Sequence, residues 1–170
     1  LYYYPKLIPT QSFVDLFDDS DFRKSIYIKK LFANYASTKY ENIYLVYKYP
    51  DNDVLKNSTR DDPTYLHRPK VFRIAEIYLI AAEAAYKNGD QANAKIYLDR
   101  LRTARGIGSV TYTDLWTEIQ NERNRELAFE GFRMADIKRW NLGVVRGTPQ
   151  NLSAIVSDPA DQYYQLNIPA

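Results

Sequence analysis

Cysteine is absent from the 170 residues and histidine occurs once, at His67. Disulfides are therefore excluded, and zinc, haem or thiol chemistry has almost no ligands to draw on. Lys and Arg exceed Asp and Glu by only two, 23 against 21, and the two signs are interleaved along the chain. With no basic stripe to release counterions, nucleic acid is not an expected partner. No apolar run approaches the roughly 20 residues that cross a bilayer, and no signal peptide with a charged start and an apolar middle is present. The chain begins at Leu1 rather than methionine, which leads us to expect a fragment of something longer. What it has in abundance is aromatic surface: sixteen tyrosines, seven phenylalanines and two tryptophans, side chains that pack on one side and hydrogen-bond on the other. The length suits one domain burying roughly 70% of its unfolded surface.

Residues 1 to 70 are aromatic and irregular, with Asp18-Asp19-Ser20-Asp21 as an acidic turn and a polar loop from Asp51 to Asp62. Ile43 to Tyr49 reads as a short strand, and Lys24 to Leu31 as its antiparallel partner. Phe13 to Leu16 reads as a turn or two of helix. From Val71 the pattern becomes helical. Phe72, Ile74, Ala75, Ile77, Tyr78, Leu79, Ile80, Ala81, Ala82, Ala84 and Ala85 leave only a thin charged line of Arg73, Glu76, Glu83 and Lys87, which predicts a helix buried nearly all round. Asn88-Gly89-Asp90 ends it and starts the next, with Gly89 free to turn left-handed and Asp90 placed to cap. Ala94, Leu98 and Leu101 form the inner stripe of that second helix, which stops at Gly106. The two make a hairpin with tetratricopeptide spacing, and no second copy follows 34 residues on. One such hairpin does not cover its own outer face, so further helices are expected to pack on it. A third helix is expected from about Asp114, capped by Thr111 or Thr113, to Glu130, and a fourth from Phe132 to near Trp140. Residues 144 to 170, with three prolines, read as a loop-rich tail. The expected fold is thus mainly α: a tetratricopeptide-like hairpin and two further helices over 71 to 143, in one domain with an irregular aromatic segment carrying a short β-hairpin.

Within the third helix the pattern contradicts itself. Leu115, Ile119, Glu122, Glu126 and Phe129 recur at steps of three and four, so two carboxylates share the face that Leu115 and Ile119 turn inward. Buried carboxylates must be paired. Arg123, Arg125, Arg133 and Arg139 are the nearest guanidiniums in sequence, so the simplest expectation is a structural ion network of Glu122, Arg123, Glu126, Glu130, Arg133 and Arg139 that locks two helices together.

These residues carry a family resemblance. Arg73-Ile74-Ala75-Glu76-Ile77-Tyr78-Leu79-Ile80-Ala81-Ala82-Glu83-Ala84 and the hairpin after it resemble the carboxy-terminal half of the SusD/RagB outer-membrane nutrient-binding lipoproteins. So do Glu122-Arg123, Glu126-Leu127, Phe129-Glu130-Gly131, Arg133, Asp136 and Lys138-Arg139-Trp140. Upstream, Pro9-Thr10, Asp15-Leu16-Phe17, Asp21-Phe22-Arg23 and Lys48-Tyr49 are similar to the family's acidic-aromatic segment and short strand. The resemblance implies a cell-surface lipoprotein of Gram-negative bacteria that captures glycans or peptides as the lid of a TonB-dependent (SusC-like) transporter barrel, with no catalysis and no cofactor. Missing here are the family's lipid-carrying cysteine and its earlier tetratricopeptide helices, the amino-terminal partners of residues 71 to 105.

Three sharper readings are weighed against this. Glu122 and Glu126 lie about 6 Å apart along a helix, within the range of glycosidase acid pairs. They project from one helix toward arginines, however, rather than across a substrate. Asp51, Asp53 and Asp62 hold the first, third and twelfth places of a calcium loop, but Lys56 stands where glycine is needed and Leu55 where oxygen is, so no metal site is expected. Trp116 and Trp140 are expected to pack. The ligand-binding candidates are instead loop tyrosines, Tyr3, Tyr4 and Tyr65, with Tyr2, Tyr163 and Tyr164 also in loops. Exposed rings cover the C–H faces of pyranoses. The rival reading is a helical interaction scaffold with no small ligand.

Overall fold

A computed structural model describes residues 9–35, 38–49, 70–109, 112–145 and 156–157. Tyr2, Tyr3, Tyr4, Asp51, Asp53, Asp62, Tyr65, His67, Tyr163 and Tyr164 lie outside these.

Two short helices open the described chain, α1 (Gln11–Val14) and α2 (Phe22–Tyr27), each capped by a side chain. Thr10 accepts from the Phe13 amide and Asp21 from the Arg23 amide. An antiparallel pair follows, β1 (Ile28–Tyr35) with β2 (Thr38–Val46), in a register that sets Ile28 opposite Val46 and Leu31 opposite Ile43. The expected hairpin is there, but its first strand starts later. Residues 24 to 27 belong to α2, because the Asp21 cap nucleates a turn that strand-like composition does not announce.

The hairpin of α3 (Ile74–Lys87) and α4 (Gln91–Thr103) is as the sequence predicts. Gly89 has φ +80°, and Asp90 accepts from the Asn93 amide at 3.1 Å. Ala75, Leu79 and Ala82 meet Ala94, Leu98 and Leu101, with Ile119 and Leu127 closing the cluster. Leu79, Leu98 and Ile119 are fully buried, each contributing about 1.5–3 kcal/mol by removal from water. Within this chain α3 falls short of the nearly all-round burial that its apolar composition predicts. Ile74, Ile77 and Ile80 are 70%, 54% and 48% exposed, because α4 and α5 cover only one of its two apolar stripes.

Helix α5 (Leu115–Glu126) is capped by Asp114, which accepts from the Trp116 amide at 3.0 Å, and not by Thr113; Thr111 lies outside the described residues. It ends at Glu126 rather than Glu130. The carbonyls past that point are taken by side chains: Lys48 Nζ donates to Glu126 O at 2.7 Å and Ala128 O at 3.0 Å, and Arg73 Nη2 to Glu126 O at 3.0 Å. The chain then turns through Phe129 at φ +66°, leaving its ring 39% exposed and edge-on to Phe13 at 5.3 Å, not inward as the stripe suggests. Helix α6 (Arg133–Arg139) follows, then β3 (Val144–Val145), which pairs antiparallel with β4 (Val156–Ser157). Among the described residues no helix is long and apolar enough to cross a membrane.

Candidate functional site

Two apolar clusters bracket the charged residues. One is the α3–α4–α5 core; the other is Val14, Phe17, Tyr27 and Ile28 from the amino-terminal segment. Between them lie Asp21, Arg23, Glu122 and Glu126, each no more than 2% exposed. Arg23 is central. Its Nη1 donates to Glu122 Oε1 at 2.6 Å and Glu126 Oε2 at 2.8 Å, while Nε and Nη2 engage Asp21 at 2.7–3.2 Å. The second oxygen of Glu122 accepts from Arg125 at 2.7 and 3.0 Å. Both Glu126 oxygens accept from Arg105 at 2.9 Å, and Oε1 also from Arg73 Nη1 at 2.9 Å. Arg73 Nη2 continues to Glu130 at 2.8 Å, and Lys48 meets the same carboxylate at 2.5 Å.

The carboxylates are therefore where the sequence stripe puts them, but most of their partners are not. Arg123 donates through Nε to both oxygens of Asp136 at 2.8–2.9 Å. Arg139 bridges Asp136 and Glu83. Arg133 is exposed on the surface, and among the described residues Arg125 is a local arginine that reaches Glu122. Glu122 and Glu126 do lock two helices together, α5 to α2 through Arg23, and also tie α5 to Arg73 and Arg105, which flank the helical hairpin. Sequence reasoning missed Arg23, Arg73, Arg105 and Lys48. The one available signal was Asp21-Phe22-Arg23, an acid and a base two apart beside a cap.

The electrostatics follow from this packing. Burial alone would raise the Glu122 carboxyl, but Arg125 and Arg23 outweigh it and hold the group below its ordinary value. Burial acts the same way on Glu126 and is outweighed by Arg105 and Arg23. Both acids are thus ionised, with both oxygens of each already accepting from guanidiniums, so neither has a proton to deliver as a general acid. Lys48 moves in the other direction: burial, only partly offset by Glu130, brings its ammonium down to about 8.

A second polar group lies at the far end of α3. Glu83 accepts from Arg139 and from Trp140 Nε1 at 3.0 Å. Trp116 stacks on Tyr86 at 5.3 Å and meets Trp140 edge-on at 5.7 Å, so both indoles pack. Among the described residues no group of acids, histidines or cysteines is arranged to hold a metal ion.

Comparison with known proteins gives a consistent result. Residues 18–168 match the SusD family. A relative named SusD-like protein P2, from Formosa agariphila, is 36% identical over 109 residues, covering 57% of this chain and 22% of the relative. A SusD-like carbohydrate binding protein from Bacteroides vulgatus superposes with a TM-score of 0.68 at 26% identity, over 94% of this chain and 38% of that one. A SusD superfamily protein from Bacteroides thetaiotaomicron gives 0.70 at 26% identity, over 91% and 36%. The chain thus spans between about a fifth and two fifths of the length of these relatives.

Proposed function

Because the chain belongs to the SusD family, we propose that it is part of a nutrient-binding subunit of the outer membrane, exposed at the cell surface, that captures a glycan or peptide without covalent chemistry. In this reading the captured ligand is handed to a TonB-dependent transporter barrel, further amino-terminal helices pack on α3, and a lipid anchor lies outside this chain. The observation that carries the reading is the family match across 18–168, joined to a superposition of nearly the whole chain on a protein described as carbohydrate binding. The ion pairing of Glu122 and Glu126 supports it, since it leaves those acids as scaffold and not as reacting groups. Ligand contacts are assigned to Tyr3, Tyr4 and Tyr65, whose rings offer apolar faces for sugar C–H surfaces.

The test is a titration of the chain with a panel of oligosaccharides and peptides, followed by tyrosine and tryptophan fluorescence and repeated with Tyr3→Ala, Tyr4→Ala and Tyr65→Ala. Saturable binding weakened about tenfold or more by at least one substitution is expected, as for loss of an aromatic anchor of about 1.4 kcal/mol. A flat response to every ligand favours a helical interaction scaffold. Products appearing on chromatography would instead mark an enzyme.

A further inference from the structure

The turn that closes α5 holds a bulky residue in a conformation that suits glycine. Phe129 has φ +66°, in the left-handed region where a Cβ crowds the backbone. Gly131, two residues on, takes φ +85° without that penalty. Continued as a helix, α5 would carry Phe129 inward on the stripe of Ile119, Glu122 and Glu126. Instead its ring stands 39% exposed.

Two cations impose this. Lys48 Nζ donates to the carbonyls of Glu126 and Ala128 and meets the Glu130 carboxylate at 2.5 Å, while Arg73 takes the Glu126 carbonyl and the same carboxylate at 2.8 Å. The turn is gripped on both sides of residue 129, so its backbone is set by remote side chains against the preference of the residue itself. Strain that the surroundings hold in place clusters at ligand clamps. The ring is also anchored on one side. It meets Phe13 edge-on at 5.3 Å, Phe13 meets Phe17 edge-on at 5.3 Å, and Phe17 is buried. Three rings thus run from the amino-terminal apolar cluster to the surface and leave the last of them partly open to water. Glu130 beside it is committed to Lys48 and Arg73, so a ligand here is met by an apolar ring face and not by a hydroxyl-binding carboxylate. Such a ring covers the C–H face of a pyranose, and a ring already fixed loses little freedom when it does so.

We infer that Phe129 is a glycan contact, stacking on the C–H face of a neutral pyranose unit. The inference rests on the proposed capture of a glycan and adds a contact on the helical body to those assigned to Tyr3, Tyr4 and Tyr65.

The experiment titrates maltohexaose, cellohexaose, xylohexaose and an aromatic hexapeptide into the full chain by calorimetry, with Phe129→Gly and Phe129→Tyr beside the parent. Phe129→Gly is expected to weaken binding of at least one hexasaccharide about tenfold, as for loss of an aromatic anchor. Phe129→Tyr keeps the ring and should stay within about twofold of the parent. The unfolding temperature of Phe129→Gly should remain within about 3 °C of the parent, because relief of the left-handed backbone offsets the lost edge contact with Phe13. A larger fall marks a packing role and overturns the assignment. So does hexasaccharide binding that Phe129→Gly leaves unchanged, or that both variants weaken equally; in these cases glycan capture by the chain still stands. Binding of the hexapeptide alone overturns the pyranose. If the parent chain binds none of the four probes, the capture reading falls and the assignment with it.

Discussion

Among single side chains, Arg23 holds the position on which the interior depends, since it touches Asp21, Glu122 and Glu126 at once while shut off from water. Lysine, a point charge without the planar fork, does not reproduce that bridging. The pairing makes the fold acid-sensitive. Glu122 and Glu126 sit below their ordinary value of 4.5 when folded, so their contribution is fully present above that pH and is lost as pH falls through the depressed values. Stability measured by urea unfolding should therefore be level from neutral pH down to about 5 and decline below about 4.5, with a shallower decline in Glu126→Gln. An unchanged acid limb in that variant would contradict the assignment. At this scale the sequence reveals half of the arrangement. Two glutamates on an apolar stripe announce that cations must come, but which cations depends on tertiary closure, and Arg23 lies 99 residues from Glu122. Guanidiniums near in sequence are the natural guess and the wrong one for Arg123 and Arg139, which point to Asp136 instead.

At the level of elements, helices with complete local signals are legible. The α3–α4 hairpin is announced by its alanine spacing, its left-handed Gly89 and its Asp90 cap. Helix ends set by remote side chains are not. The carboxy terminus of α5 is fixed by Lys48 and Arg73 taking its carbonyls, which no pattern within the helix foretells. Helix α2 is likewise concealed by a composition that reads as strand. The join between α4 and the amino-terminal segment gives a clean prediction. Gly106 sits at φ +85°, a Cβ there would meet Ser20 O at 2.8 Å, and the adjacent Arg105 carbonyl accepts from the Phe22 amide at 3.3 Å. Gly108 also has positive φ, +72°, but faces open space. Gly106→Ala should cost about 2–4 kcal/mol, clash added to conformation, while Gly108→Ala costs only about 1 kcal/mol for conformation. Thermal unfolding of the pair decides it, and equal losses would mean that the contact between Gly106 and Ser20 carries no weight.

Across the whole molecule, the charged layer lies between two apolar clusters: the α3–α4–α5 core and the Val14, Phe17, Tyr27 and Ile28 group. Burying ions this way is not cheap. Its consequence is specificity of docking, because breaking one member strands several others. This explains how the described part of the amino-terminal segment, α1 and α2, is held against the helices. The outer stripe of α3 shows the opposite situation, an apolar surface made ready and left uncovered by the described residues. Both features follow from amphipathic patterns that the sequence displays, but only the folded arrangement separates the stripe that is satisfied from the one that is not.

Equilibrium urea unfolding of Arg23→Met against the parent chain near neutral pH tests the cementing role of the buried network most directly. The account predicts a loss of about 3–5 kcal/mol, the cost of leaving buried carboxylates short of a partner. A change within about 0.5 kcal/mol would contradict it, because Glu122 and Glu126 would then be stable without the guanidinium that joins them to the amino-terminal segment.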